Sequence, residues 1–160
     1  MSCGRYESSQ VQYDVVLEKN VMVTMSDGVR LATDVFRPAL EGSAVVGRFP
    51  TIIERTPYDN GSIRLTNVGR HYARRGYVCI MQDVRGRGES DGDWFFLLNP
   101  KDEAKDGHDT LAWIVEQAWS DGQVGTIGLS YTGATQQALA VTDPPGLKAQ
   151  FIMDSGYNSH

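Results

Sequence analysis

The stretch that decides the fold is "VGTIGLSYTGATQQALAV", residues 124–141. Val124 to Leu129 is short, apolar and β-like, whereas Tyr131 to Val141 is rich in small, helix-compatible residues. Ser130 stands at the changeover, with Gly128 before it and Gly133 after it. A serine flanked by glycines at a strand-to-helix turn lets two backbone segments cross closely, which lifts the hydroxyl out of the sheet in a nucleophile elbow. The helix start beneath it supplies backbone N–H groups suited to an oxyanion. The usual elbow places its second glycine where Thr132 stands, so the spacing is irregular. A plain helix N-cap serine is the competing reading of the same residues.

Outward from this stretch, strand-like and helix-like segments alternate. Val15–Leu17, Val21–Met25 and Val29–Phe36 read as β, with "SDG" (residues 26–28) as a hairpin turn between the last two. Residues 37–50 read as a loop closed by Pro50, followed by the buried strand "TIIER" at 51–55. Ile63–Arg75 reads as a helix with a cationic last turn and a Gly76 cap, and Tyr77–Gln82 as a strand. Asp102–Ala118 reads as a helix with Ala104, His108, Leu111, Val115 and Ala118 on one face; Lys148–Met153 is a further strand. This rhythm gives an α/β fold with a mostly parallel sheet and a leading antiparallel hairpin.

At 160 residues the chain has room for one domain, and 41% apolar with 22% charged residues is ordinary globular composition. A net charge of −5 argues against nucleic acid as a partner. The basic spots Arg74–Arg75 and Arg85–Gly86–Arg87 have acids nearby and read as solvated surface or structural pairing. Cys79 lies in an apolar run and Cys3 near a polar terminus, with no metal or redox spacing, so a reduced cytoplasmic protein is expected. No signal peptide, myristoylation site or apolar run of membrane-spanning length is expected from the sequence.

In open α/β sheets, function gathers at the carboxyl ends of strands. "DVRGRGESDG" (83–92) fails the dinucleotide fingerprint, since Asp91 occupies the third glycine position, and no phosphate loop is present. No cofactor and no metal are therefore expected, and the segment reads as a glycine-rich loop pinned by Asp83 and Arg85. "RTPYDN" (55–60) alone reads as a surface turn, but in a hydrolase-type strand order the Tyr58 hydroxyl would overhang Ser130. His108 reads as a core histidine, with Asp106 and Asp109 as candidate buried partners, and His71 as surface. Trp94, Trp113 and Trp119 read as packing residues.

Taken together, "MSDGVRLATDVFRP", "RTPYDN", "GYVCIMQDVRGRGESDG", "EAKDGHDTLAWIVEQAW", "SDGQVGTIGLSYTG" and "LKAQFI" resemble, in order, the CocE/NonD family of α/β-hydrolases. That group takes in cocaine esterase and Xaa-Pro dipeptidyl-peptidases. The family elbow looks like G-x-S-Y-x-G, which makes Tyr131 and the late Gly133 regular; Ala118 departs from a frequent proline. The resemblance implies Ser130 as acyl nucleophile, with the Tyr58 hydroxyl and the Tyr131 backbone N–H forming the oxyanion hole. It also implies an ester, amide or short-peptide substrate.

The same resemblance places the acid and base beyond His160, together with a helical cap and a C-terminal β-sandwich. Residues 1–160 are thus expected to be the N-terminal portion of a catalytic domain, truncated after about the sixth strand. Asp154 is the weak local candidate for the acid, and nothing in the resemblance makes His160 the base. Negligible turnover is expected from this chain. The rival is a non-catalytic remnant that self-associates through an exposed sheet edge after Lys148–Met153.

Overall fold

The structure, a computed structural model, describes residues 9–95 and 100–155; Cys3 and His160 lie outside them. Strands β1 (Asp14–Thr24) and β2 (Arg30–Leu40) form the leading antiparallel hairpin. Their turn is the expected one: Gly28 takes φ 90° and the Asp27 carboxylate accepts the Val29 N–H at 3.1 Å. β1 is a single strand rather than two, carried across the gap by an irregularity between Glu18 and Val21 where Asn20 takes φ 50°.

β2 continues past Phe36 into the segment expected to be loop, and after the turn at Glu41 and Gly42 the short β3 (Ser43–Ala44) pairs back on it. Pro38 is compatible with this extension. Its carbonyl accepts the Val45 N–H on the side that the next strand has left, so the missing proline N–H breaks no ladder there.

Next come β4 (Phe49–Thr56), α1 (Ile63–Ala73), β5 (Val78–Asp83), α2 (Pro100–Glu116), β6 (Ser120–Leu129), α3 (Tyr131–Ala140) and β7 (Leu147–Met153). Strand order is β1-β2-β5-β4-β6-β7, with β5, β4, β6 and β7 mutually parallel. Every residue of β5 is buried, as expected for a strand covered on both faces. Cys79 and Met81 pack with Phe36 and Leu65 on the α1 side; Val78 and Ile80 pack with Leu111, Ile114, Val124 and Leu139 on the other. Because α1 follows β4 on one face and α3 follows the neighbouring β6 on the other, the β4–β6 boundary is the topological switch point.

The buried stripe of α2 differs from the expected one. Asp106, Gly107, Thr110, Leu111 and Ile114 face the sheet, His108 is half-buried, and Ala118 is exposed beyond the helix end. Apolar periodicity missed this because two of the inward residues are polar and are matched by buried polar groups of the sheet. On α1, Gly69 lies against Phe36 so closely that an added Cβ would stand 2.5 Å from the ring. Gly69→Ala should therefore lower the denaturation midpoint: overpacking costs about 1–3 kcal/mol, against a helix-propensity gain of at most ~1 kcal/mol.

Candidate active site

The strand-to-helix turn at Ser130 is strained. Ser130 has φ 59° and ψ −118°, a left-handed conformation rare outside glycine, and it is exposed. The surroundings hold it there: its N–H donates to the Met153 carbonyl at 3.1 Å, and its carbonyl accepts from the Gly133 and Ala134 N–H groups. Thr132 closes the turn, since its hydroxyl accepts the Leu129 N–H at 2.6 Å and lies 3.0 Å from the Leu129 carbonyl, to which it donates.

This geometry accounts for the irregular glycine spacing. A Cβ at Gly128 would collide with the side chain and carbonyl of Thr132, so residue 128 must be bare while residue 132 carries the hydroxyl. A Cβ at Gly133 would stand 2.6 Å from Ser155 Cβ, so the bare position on the helix is the one facing the chain after β7. Ser130 is no N-cap in the ordinary sense, as its side chain makes no capping hydrogen bond.

Tyr131 opens α3 and turns inward, 5% exposed. Its phenol donates to Glu103 Oε1 at 2.7 Å and accepts from Trp94 Nε1 at 3.3 Å. Burial, reinforced by the Glu103 charge, pushes the phenol well above its usual range. Glu103 in turn faces Arg55, whose Nη1 is 3.2 Å from Oε2 and donates to the Glu103 carbonyl at 2.9 Å. Arg55 also donates to Gln82 Oε1 at 2.9 Å and lies 3.9 Å from Asp106. Asp106 is gripped by Arg85 through contacts of 2.6 and 3.0 Å, and Arg85 reaches Asp27 at 2.9 Å.

Across the switch point, β4 ends at Thr56 beside β6, which places Tyr58 and Ser130 after the carboxyl ends of neighbouring strands. Pro57 and Asn60 are buried whereas Tyr58 is 55% exposed. The glycine-rich loop behaves as read. Buried Asp83 accepts the Asn60 N–H at 2.8 Å and the Glu89 N–H at 3.2 Å, and Gly88 leaves room for its carboxylate, which any Cβ would strike. Desolvation raises the Asp83 carboxyl to about 6.

The histidine and acid candidates are separated. His108 Nδ1 stands 3.4 Å from Thr142 Oγ1, while Asp109 accepts from the Ser26 N–H and hydroxyl at 2.8 and 2.6 Å, and Asp106 belongs to Arg85; the suggested His108–aspartate pairing is thereby corrected. His71, on α1, lines a cavity of about 370 Å³ with Glu54, Arg64 and Phe151. Asp154, exposed with φ 42°, directly follows β7. Sequence reading missed the Arg55–Glu103–Tyr131 chain. A charged "ER" pair closing a buried strand was the available signal, since a buried cation demands an acidic partner.

Strand order, switch point and strained serine turn together define an α/β-hydrolase-type fold. The chain belongs to the X-Pro dipeptidyl-peptidase (S15) family, which it matches over residues 27–159. It is 46% identical over 135 residues to the cocaine esterase of Rhodococcus sp. (strain MB1 Bresler), covering 81% of this chain and 22% of that protein. A solved CocE/NonD family hydrolase from Staphylococcus aureus matches with a TM-score of 0.72 and 26% identity, over 85% of this chain and 27% of the other. A solved α-amino acid ester hydrolase matches with a TM-score of 0.70 and 30% identity, over 92% of this chain and 26% of the other. The chain thus spans about a quarter of the length of these relatives. Among the described residues, no helix is long and apolar enough to cross a membrane.

Two outcomes are expected. Ser130→Gly should be more stable than Ser130→Ala by about 1 kcal/mol in denaturant titration, because glycine relieves the positive-φ strain and alanine does not. Between pH 4 and 6 the folded state holds a proton on Asp83 that the unfolded chain has released, so this group's contribution to stability falls as pH rises through that window. Asp83→Asn does not titrate, and its stability relative to the parent chain should rise over the same interval.

Proposed function

We propose that Ser130 is the acyl nucleophile of a serine hydrolase acting on esters or amides of small molecules or short peptides. The observation that carries this is the exposed hydroxyl of Ser130 on a turn held at φ 59°, in a chain of the S15 family. Ser130 Oγ bonds to the substrate carbonyl carbon while its proton passes to a base. The tetrahedral oxyanion is met by the Tyr58 hydroxyl and the Tyr131 N–H, at the start of α3. The alcohol or amine then leaves with a proton, and water releases the acid from the acyl-enzyme. The names of the relatives, cocaine esterase and α-amino acid ester hydrolase, together with the family description, support this substrate range.

The described histidines do not supply the base. His71 sits on α1, on the face opposite α3, and His108 contacts Thr142. Losing the histidine removes most of a triad's ~10⁶-fold contribution, so the 160-residue chain by itself should turn over negligibly. A fluorophosphonate probe tests this. Labelling of the chain should be slow, and whatever labelling occurs should vanish in Ser130→Ala. Rapid labelling that depends on Ser130 would sink the inactivity claim, and labelling indifferent to Ser130→Ala would sink the nucleophile assignment.

A second reading rests on β7, where Phe151 is 62% and Met153 41% exposed at the sheet edge: self-association through that edge without catalysis. A monomer at all concentrations in sedimentation velocity would exclude it.

A further inference from the structure

Tyr58 stands out from its own turn. The residues on either side of the exposed Tyr58–Asp59 pair are buried, and several backbone polar groups around it are engaged. The Thr56 carbonyl accepts the Val84 N–H at 2.9 Å. The Pro57 carbonyl accepts from Arg87 Nε at 2.9 Å, and the Tyr58 N–H donates to Thr56 Oγ1 at 3.1 Å. The Asn60 N–H donates to Asp83 Oδ1 at 2.8 Å, and its side-chain amide donates to the Ala32 carbonyl at 3.2 Å. Asp59 completes the turn in the left-handed region at φ 74°, its carboxylate accepting the Gly61 N–H at 2.9 Å.

Three of these ties come from the glycine-rich loop rather than from the turn itself, and two of the three use a side chain, that of Asp83 or of Arg87. Asp83 lies at the end of β5 and holds the Glu89 N–H with its other oxygen. Arg87 is itself stacked over Trp94, with the guanidinium carbon 4.7 Å from the ring centroid. The buried backbone groups of Pro57 and Asn60 need partners in any case; drawing those partners from a second loop also gives the rigid backbone that a positioned donor requires.

We propose that Asp83 and Arg87 are positioning residues that fasten the turn on both sides of Tyr58 and so fix where its hydroxyl points. The proposal rests on the oxyanion reading of Tyr58 and adds the element that sets that donor's geometry. It also accounts for the "DVRGRGES" segment. The backbone there folds around Asp83 so that one carboxylate joins two loops, and the second arginine closes the other end of the bracket.

The test combines amide exchange with binding of an arylboronic acid, whose boron bonds to the serine Oγ as a tetrahedral anion while the hydroxyl proton passes to solvent. Asp83→Ala is the direct variant; the exposed Arg87→Met serves where Asp83→Ala fails to fold. Either should speed exchange at the Tyr58 or Asn60 amide by about tenfold or more. Tyr58→Phe should weaken boronate binding by about tenfold or more, the value of a hydrogen bond to a charged group. Each loop variant should weaken it by about threefold or more in the parent and add nothing in the Tyr58→Phe background. That non-additivity is the readout a purely structural role would not produce. Unchanged exchange at both amides, or an equal loss of boronate affinity in both backgrounds, overturns the proposal. If Tyr58→Phe alone leaves boronate affinity unchanged, the oxyanion reading falls instead, and the bracket stands or falls on the exchange data.

Discussion

A buried guanidinium organises this molecule. Arg55 is 5% exposed near the carboxyl end of β4, where an unpaired cation would be prohibitively costly. Its partners come from two elements: Gln82 on β5, and Glu103 and Asp106 on α2. Satisfying them fixes which face of α2 meets the sheet, which is why Asp106 and Thr110 point inward where an apolar stripe would point elsewhere. Thr110 donates to Gln82 and Asp106 holds Arg85, so the helix is located by polar geometry as much as by Leu111 and Ile114. Through Glu103 the same network reaches the Tyr131 phenol, linking the first turn of α3 to β4 and β5.

The elbow shows the complementary principle, strain held in place by its surroundings. A serine at φ 59° persists only where neighbouring bonds over-determine it, and here they do. The Met153 carbonyl fixes its N–H, two helix N–H groups fix its carbonyl, and Thr132 locks the preceding residue. The two glycines are consequences of this crossing. Each is bare because a particular backbone or side chain already occupies the space, Thr132 for Gly128 and Ser155 for Gly133.

Much of this was legible in sequence because local patterns and global fold agree. The parallel strands are short apolar runs closed by polar turns, the hairpin carries its "SDG" signal, and the serine elbow falls at the expected changeover from strand to helix. Asp83 was readable as a pin because an aspartate ending a buried strand before a glycine loop has few roles but to accept backbone N–H groups. The face of α2 and the partners of Arg55 were not readable from apolar periodicity, although the "ER" pair at 54–55 signalled that Arg55 needed an acid. Apolar periodicity carries no term for a polar residue whose burial is compensated by another element far along the chain. The extension of β2 through Pro38 was hidden for a similar reason: whether a proline breaks a strand depends on where its neighbour stops, which composition does not contain.

Under the proposed reading, nucleophile and oxyanion hole form a unit that the topology can deliver early in the chain. They need only adjacent carboxyl ends at one switch point, and β4 and β6 supply these within the first six strands of sequence order. Both donors of the hole then depend on groups built into the same segment: Asp83 and Arg87 for the Tyr58 turn, and the helix start at Tyr131 for the amide. A base has no comparable local route. Neither described histidine sits at those carboxyl ends, since His71 is on α1 and His108 contacts Thr142. A base must therefore approach the serine from elsewhere, which is a long-range problem. On that reading the electrostatic half of the chemistry would be a property of this part of the sheet, and proton transfer the half that must be brought to it.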